Sequence, residues 1–257
     1  MHTSTPTITR NAARVARTRI RVSPGSGNER CRVRTAVSRS DPAAAALRPV
    51  LVHHDATVAR VSLVPDGALL VAGDGIEVDV TVDAGAWLDL IEPGGTVAYD
   101  MRGGHASWDV RIQLGAGARL TWAGRPFVVS AGADVGRSTV AQLADGAYLA
   151  LRETVVLGRD GEWPGTLRQR ITVERDGHPV LVEDLPLGPW PTSGLIGKHR
   201  VLASVLCIGA PVGADVESIG RLDLDDGGVM WRRLGVQAHE TTLDTAWQVA
   251  RGAVAPP

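Results

Sequence analysis

The sequence predicts a mainly β protein of stacked antiparallel sheets, β-helix-like or sandwich-like, with few helices and one of them at the C-terminus. Three observations carry the prediction. Apolar residues alternate with period two over several stretches, Asp-Gly dipeptides separate those stretches, and helical spacing is confined to the chain's end. In 257 residues there are 30 Gly and 15 Pro but few aromatics (Trp 7, Tyr 2, Phe 1), so turns are many and the interior is filled by aliphatic side chains.

Taken in chain order, Ile76, Val78, Val80 and Val82 fall on one face against Glu77, Asp79 and Thr81. Trp108, Val110, Ile112 and Leu114 repeat the pattern, as do Leu167, Gln169, Ile171 and Val173. Asp66-Gly67, Asp74-Gly75, Asp145-Gly146, Asp160-Gly161, Asp176-Gly177 and Asp226-Gly227 read as tight turns, since Asp and Gly tolerate positive φ. A Gly-Ala-x-Leu motif recurs at Gly67, Gly85, Gly117 and Gly146. Its spacings of 18, 32 and 29 are too irregular for a strict solenoid but fit strand layers stacked in series. Near the C-terminus Leu243, Ala246, Trp247 and Ala250 follow helical spacing, with Thr241 or Thr242 as the expected cap.

Charge divides the chain. Residues 1–46 hold nine arginines against Glu29 and Asp41, a local +7, so a total of -1 leaves −8 for the rest. Residues 1–46 are accordingly expected to be a basic, disordered extension, and residues 47–257 a single β domain. The acidic body argues against a nucleic-acid partner, and no run of about 18 apolar residues marks a membrane span. Two isolated cysteines, Cys31 and Cys207, exclude a disulfide framework and favour a reducing, cytoplasmic setting.

Catalytic signatures such as H-E-x-x-H and G-x-S-x-G are missing. His53, His54 and Asp55 form a compact metal-ligand trio, although adjacent histidines on a strand point to opposite faces. Cys207 sits in an apolar run and reads as core. Two carboxylates break the pattern: Glu153 shares its face with Leu149, Leu151, Val155 and Leu157, and Glu183 shares its face with Leu181 and Leu185. A carboxylate on an apolar face must be paired, protonated or wetted by internal water. Either Arg168 and Arg170 neutralise the two glutamates in structural ion pairs, or the glutamates line an interior passage.

The run from Gly117 to Leu187 resembles the urease accessory protein family UreD, also called UreH, as a divergent member. It carries Gly117-Ala118-Arg119-Leu120-Thr121-Trp122, then Arg125-Pro126-Phe127, Gly146-Ala147-Tyr148-Leu149, and Glu153 through Leu157-Gly158-Arg159. Gly165-Thr166-Leu167-Arg168-Gln169-Arg170 and Asp176 through Leu185 complete the series. Where relatives carry T-T-x-x-A-T-K-x-Y, this chain has Ile91 through Tyr99 without the lysine.

The resemblance implies a non-enzymatic chaperone that binds urease apoprotein subunits and the accessory proteins UreF and UreG and assists nickel insertion, a tunnel being the proposed route. It implies no tightly bound cofactor, only nickel in transit. Glu153 and Glu183 then become passage-lining carboxylates, with Arg159, Arg168 and Arg170 supporting them or meeting a partner. The alternative is a stand-alone β-sandwich or β-helix enzyme acting on carbohydrate, which would need two carboxylates facing each other in an open cleft.

Overall fold

The structure, a computed structural model, describes residues 14–27, 29–188, 193–213, 219–225 and 227–254. The chain opens with two hairpins, β1 (Arg14–Ser23) with β2 (Arg32–Arg39) and β3 (Ala46–His54) with β4 (Val58–Asp66). It then winds in coils: β5 (Asp74–Val82), β6 (Trp87–Ile91) and β7 (Thr96–Ala98), followed by β8 (Ala106–Leu114), β9 (Arg119–Ala123) and β10 (Phe127–Val129). A third coil comprises β11 (Asp134–Leu143) and the long β12 (Tyr148–Leu157), after which β13 (Thr166–Arg175) and β14 (His178–Leu187) form another hairpin. The rest is a short helix α1 (Ser193–Ile196), strands β15 (Val201–Ile208), β16 (Arg221–Asp223) and β17 (Val229–Gly235), a 3-10 turn over Ala238–Thr241, and helix α2 (Asp244–Val254).

Two sheets face each other. One runs β14-β13-β11-β8-β5-β1-β2, the other β16-β17-β15-β12-β9-β6-β4-β3, with β7 and β10 forming a narrow edge beside β12. The expected β content, sheet stacking and C-terminal helix are all present. Strand direction differs from expectation. Pairing is antiparallel in the terminal hairpins and along β12-β15-β17, but parallel through β1-β5-β8-β11-β13 and β4-β6-β9-β12. Each coil leaves one sheet, crosses to the other and returns in the same direction, so coil neighbours must be parallel. Period-two alternation reports which face is buried and carries no information on direction.

The Gly-Ala-x-Leu repeat is the coil repeat. Leu88 lies beside Leu120 and Leu120 beside Leu149, all three fully buried. Gly85, Gly117 and Gly146 turn the corner beneath them at φ of 70, 64 and 65°. The strands stay in register while the corners absorb the change in length. Between the first and second coils the offset is 32 at Trp87↔Arg119 but 31 at Thr96↔Phe127, and between the second and third it is 29 at Ala106↔Val135. Asp74-Gly75, read as a turn, instead opens β5.

The expectation that residues 1–46 stand outside the body is overturned from Arg14 onward; residues 1–13 lie outside the described part. Strand β1 is an interior strand whose Ala16, Thr18, Ile20 and Val22 are buried. Its arginines meet the acids of β5 in register, Arg14 facing Asp74 at the strand's start and, on the outward face, Arg17 facing Glu77 and Arg19 facing Asp79. Arg14 and Asp74 are 2.9 Å apart, Arg21 and Asp83 3.0 Å, and Arg39 of β2 reaches Asp66 at 2.5 Å. Arg14, Arg17, Arg19, Arg21 and Arg39 thus set part of the basic excess against part of the acidic one.

The main core fills the space between the sheets. A second cluster lies on the outer side of the β12-β15-β17 sheet, where Ala246, Trp247, Ala250 and Val254 of α2 cover Ala150, Val205, Cys207 and Trp231. Buried on both faces, β15 reads as the continuous run Val201–Ile208 rather than an alternating one. Cys207 is core, and burial pushes its thiol up to about 12, which leaves it protonated and inert. Thr241 does not cap α2. Its hydroxyl donates to the Ala238 carbonyl inside the 3-10 turn.

Candidate functional site

The inward face of the helix-covered sheet carries apolar side chains until position four after the repeat leucine. There the three coils place Glu92, Gly124 and Glu153. Register extends the line, since Glu153 lies beside Ser204 of β15, and Ser204 lies beside Arg232 of β17. The facing sheet supplies Arg137 beside Gln169, and one step along, Glu183 beside Ile171. A polar row thus crosses the interior between the sheets.

Its contacts are specific. Arg137 Nη2 donates to Glu153 Oε1 at 2.5 Å, and both side chains are largely buried, 13% and 17% exposed. Gln169 closes the triangle, accepting from Arg137 Nη1 and donating to Glu153 Oε2, each at 3.4 Å. The Arg137 guanidinium also lies 5.3 Å over the Phe127 ring, which meets Trp108 edge-on at 5.7 Å. Glu183 forms a two-pronged pair with Arg232, whose Nη1 and Nη2 donate at 2.6 and 2.8 Å, tying one sheet to the other.

Glu92 is the carboxylate that alternation did not single out. Its Oε1 accepts from Trp122 Nε1 and its Oε2 from the Arg125 backbone N–H, both at 2.9 Å. Burial raises its pKa above the ordinary value, against these bonds and the Arg137 charge, with the Glu153 charge adding to the rise. Glu92, Arg137 and Glu153 border a cavity of about 20 Å³ walled by Trp108, Trp122 and Leu151, room for about one water. Gly124 lets the coils close here, because a Cβ would come within 2.6 Å of the Arg152 carbonyl oxygen.

The sequence-derived candidates divide. Glu153 and Glu183 do lie in the interior row, each on an arginine, but the arginines are Arg137 and Arg232 and not Arg168 or Arg170. Those two project from the outer face of β13 and both hold Asp184, Arg168 at 2.7 Å and Arg170 at 3.1 Å, keeping its carboxyl at about 2. Arg159 is exposed and pairs with Glu162, Nε to Oε1 at 2.8 Å. The His53-His54-Asp55 trio does not converge. His53 Nε2 is 3.1 Å from Asp55 Oδ2, whereas His54 Nδ1 turns to the Cys31 carbonyl oxygen at 2.9 Å. Asp55 itself caps the β3-β4 turn, accepting from Thr57 and Val58 N–H groups. Among the described residues no group of three His, Cys, Asp or Glu side chains is arranged to hold a metal ion. With an arginine on Glu153 and on Glu183, neither of these two carboxylates is a free acid or free base such as glycoside hydrolysis would require.

Comparison with protein families matches residues 15–256 to UreD, described as the urease accessory protein UreD. The chain belongs to the UreD family. It is 44% identical over 183 residues to urease accessory protein UreD 1 of Streptomyces griseus, covering 70% of this chain and 71% of that protein. A second relative, urease accessory protein UreD 2 of Saccharopolyspora erythraea, is 34% identical over 157 residues, 58% of this chain and 55% of its own length. That organism's UreD 1 is 33% identical over 205 residues, 76% of each chain. These UreD relatives are named as accessory proteins and not as enzymes, in keeping with the non-catalytic expectation, and the match begins inside β1. A role in urease maturation follows from the family. Among the described residues no helix is long and apolar enough to cross a membrane.

Proposed function

We propose that this chain is a cytoplasmic, non-catalytic chaperone that binds apo-urease together with UreF and UreG and assists nickel insertion into the urease active site. The observation that carries the reading is the interior row of Glu92, Glu153 and Glu183 between the sheets, with Arg137 and Arg232 interleaved. Nickel is cargo here. As a borderline acid it accepts carboxylate oxygens, and transit calls for weak sites that exchange rather than a closed cage. An arginine on a carboxylate suits that need, because the guanidinium neutralises the acid at rest and an arriving cation competes for the same oxygens. The missing phosphate loop agrees with nucleotide hydrolysis residing in a partner.

The test is Glu153→Gln and Glu183→Gln, each made singly and co-expressed with apo-urease and the other accessory proteins. Each variant keeps side-chain volume and strands one arginine at a cost on the order of 3 kcal/mol, within what a domain can bear, so it is expected to remain folded by circular dichroism while urease gains severalfold less nickel, measured by metal analysis of the purified enzyme. Full nickel loading overturns the role of the row.

A further inference from the structure

We propose that the groove beside Trp163 is a docking site for an acidic segment of a partner protein that carries a large apolar side chain. The proposal rests on the scaffold reading above and assigns it a surface. Trp163 is 82% exposed, against 39% for Tyr99, the next most exposed aromatic of the described residues, and tryptophan is among the side chains that most often anchor a protein interface.

The loop that presents it is firmly held. Arg159 and Glu162 pair across the turn, and Glu162 Oε2 accepts the Arg159 N–H at 3.1 Å. From below, Arg200 donates to the carbonyls of Leu157 at 3.2 Å and Gly158 at 2.9 Å. The ring is therefore displayed on an ordered support, as a preformed anchor is. Beside it runs a groove of about 450 Å³ with Trp163 and Pro164 on one wall and Lys198 and His199 on the other.

Charge selects the occupant. Arg159 and Glu162 cancel each other and the exposed Asp160 of the same turn offsets one further cation, while Arg200, though spent on carbonyls, keeps its charge. Lys198, the chain's sole lysine, is exposed and forms no ion pair among the described residues. The groove thus joins an apolar anchor to uncompensated positive charge, which fits an acidic segment and repels a basic one.

Binding of purified apo-urease and purified UreF to the full chain is measured separately for wild type, Trp163→Ala, Lys198→Glu and the distant control Val182→Ala. One of the two proteins is expected to lose at least tenfold in affinity with Trp163→Ala and with Lys198→Glu, while Val182→Ala binds as wild type. Raising salt should weaken wild type more than Lys198→Glu. Binding that both groove variants leave intact overturns this surface alone. Absence of binding to either protein by wild type overturns the scaffold reading and this surface with it.

Discussion

At the scale of single residues, the interior row sets acids against burial, and Glu92 shows the balance most clearly. Its raised pKa means that the folded state holds its proton at pH values where the unfolded chain has released it. Folding is therefore penalised as pH rises through the folded pKa, and the penalty vanishes below the ordinary value of 4.5. Glu92→Gln removes the titration but can accept only one of the two N–H groups that the carboxylate accepts. That lost bond is the same at every pH, so the gap in melting temperature between variant and wild type is expected to shift in the variant's favour as pH rises from 4.5 to neutral. A gap that is constant across that range would show that Glu92 does not titrate with folding. Glu153 differs because Arg137 already faces it, so removing either partner strands the other charge between the sheets, a loss on the order of 3 kcal/mol.

At the scale of elements, the strand faces were legible and the partners were not. Alternation located Glu153 and Glu183 because each occupies an apolar parity position, and the same logic applied to β11 reaches Arg137 between Val135 and Thr139. Glu92 was legible through the repeat. Aligning Leu88, Leu120 and Leu149 puts Glu92, Gly124 and Glu153 at one position. Arg232 was not legible, because β17 is covered on both sides and Met230 and Trp231 are buried in different clusters, which erases parity. Strand direction was hidden for the reason that parallel and antiparallel strands share one period. The C-terminal helix was read correctly from its spacing, and its energetics follow. Trp247 is 6% exposed over the outer face of the sheet, so Trp247→Ala is expected to cost about 3–5 kcal/mol. Denaturant unfolding checks this, and a loss below about 1 kcal/mol would mean that α2 packs loosely. Arg251 of α2 and Arg60 both reach the buried Asp89, at 3.3 and 2.7 Å, so the helix is also anchored by charge.

At the scale of the whole molecule, part of the division of charge along the chain becomes a division across a strand interface. Exposed ion pairs contribute little singly, about 0–1 kcal/mol each. Those of β1 matter through placement, since they match arginines to acids along an interior strand and disfavour a slipped register. What the strand buries matters more. Ile20 and Val22 are fully enclosed, each burial contributing roughly 1.5–3 kcal/mol, and Thr18 donates to the Leu47 carbonyl at 2.5 Å. A domain holds only about 5–15 kcal/mol in all. Removing residues 1–46 would therefore bare the edge of β5, leave Asp74 without Arg14 and Glu77 and Asp79 with Arg111 as their remaining cation, and open the core above Val78 and Val80. A chain beginning at Leu47 is expected to lose most of its soluble yield and to elute as aggregate in size-exclusion chromatography, because an uncovered apolar-backed edge invites pairing with other copies. A soluble monomer with an unchanged melting temperature would show that the basic segment is dispensable, as its composition alone suggests; the register of β1 on β5 predicts that it is not.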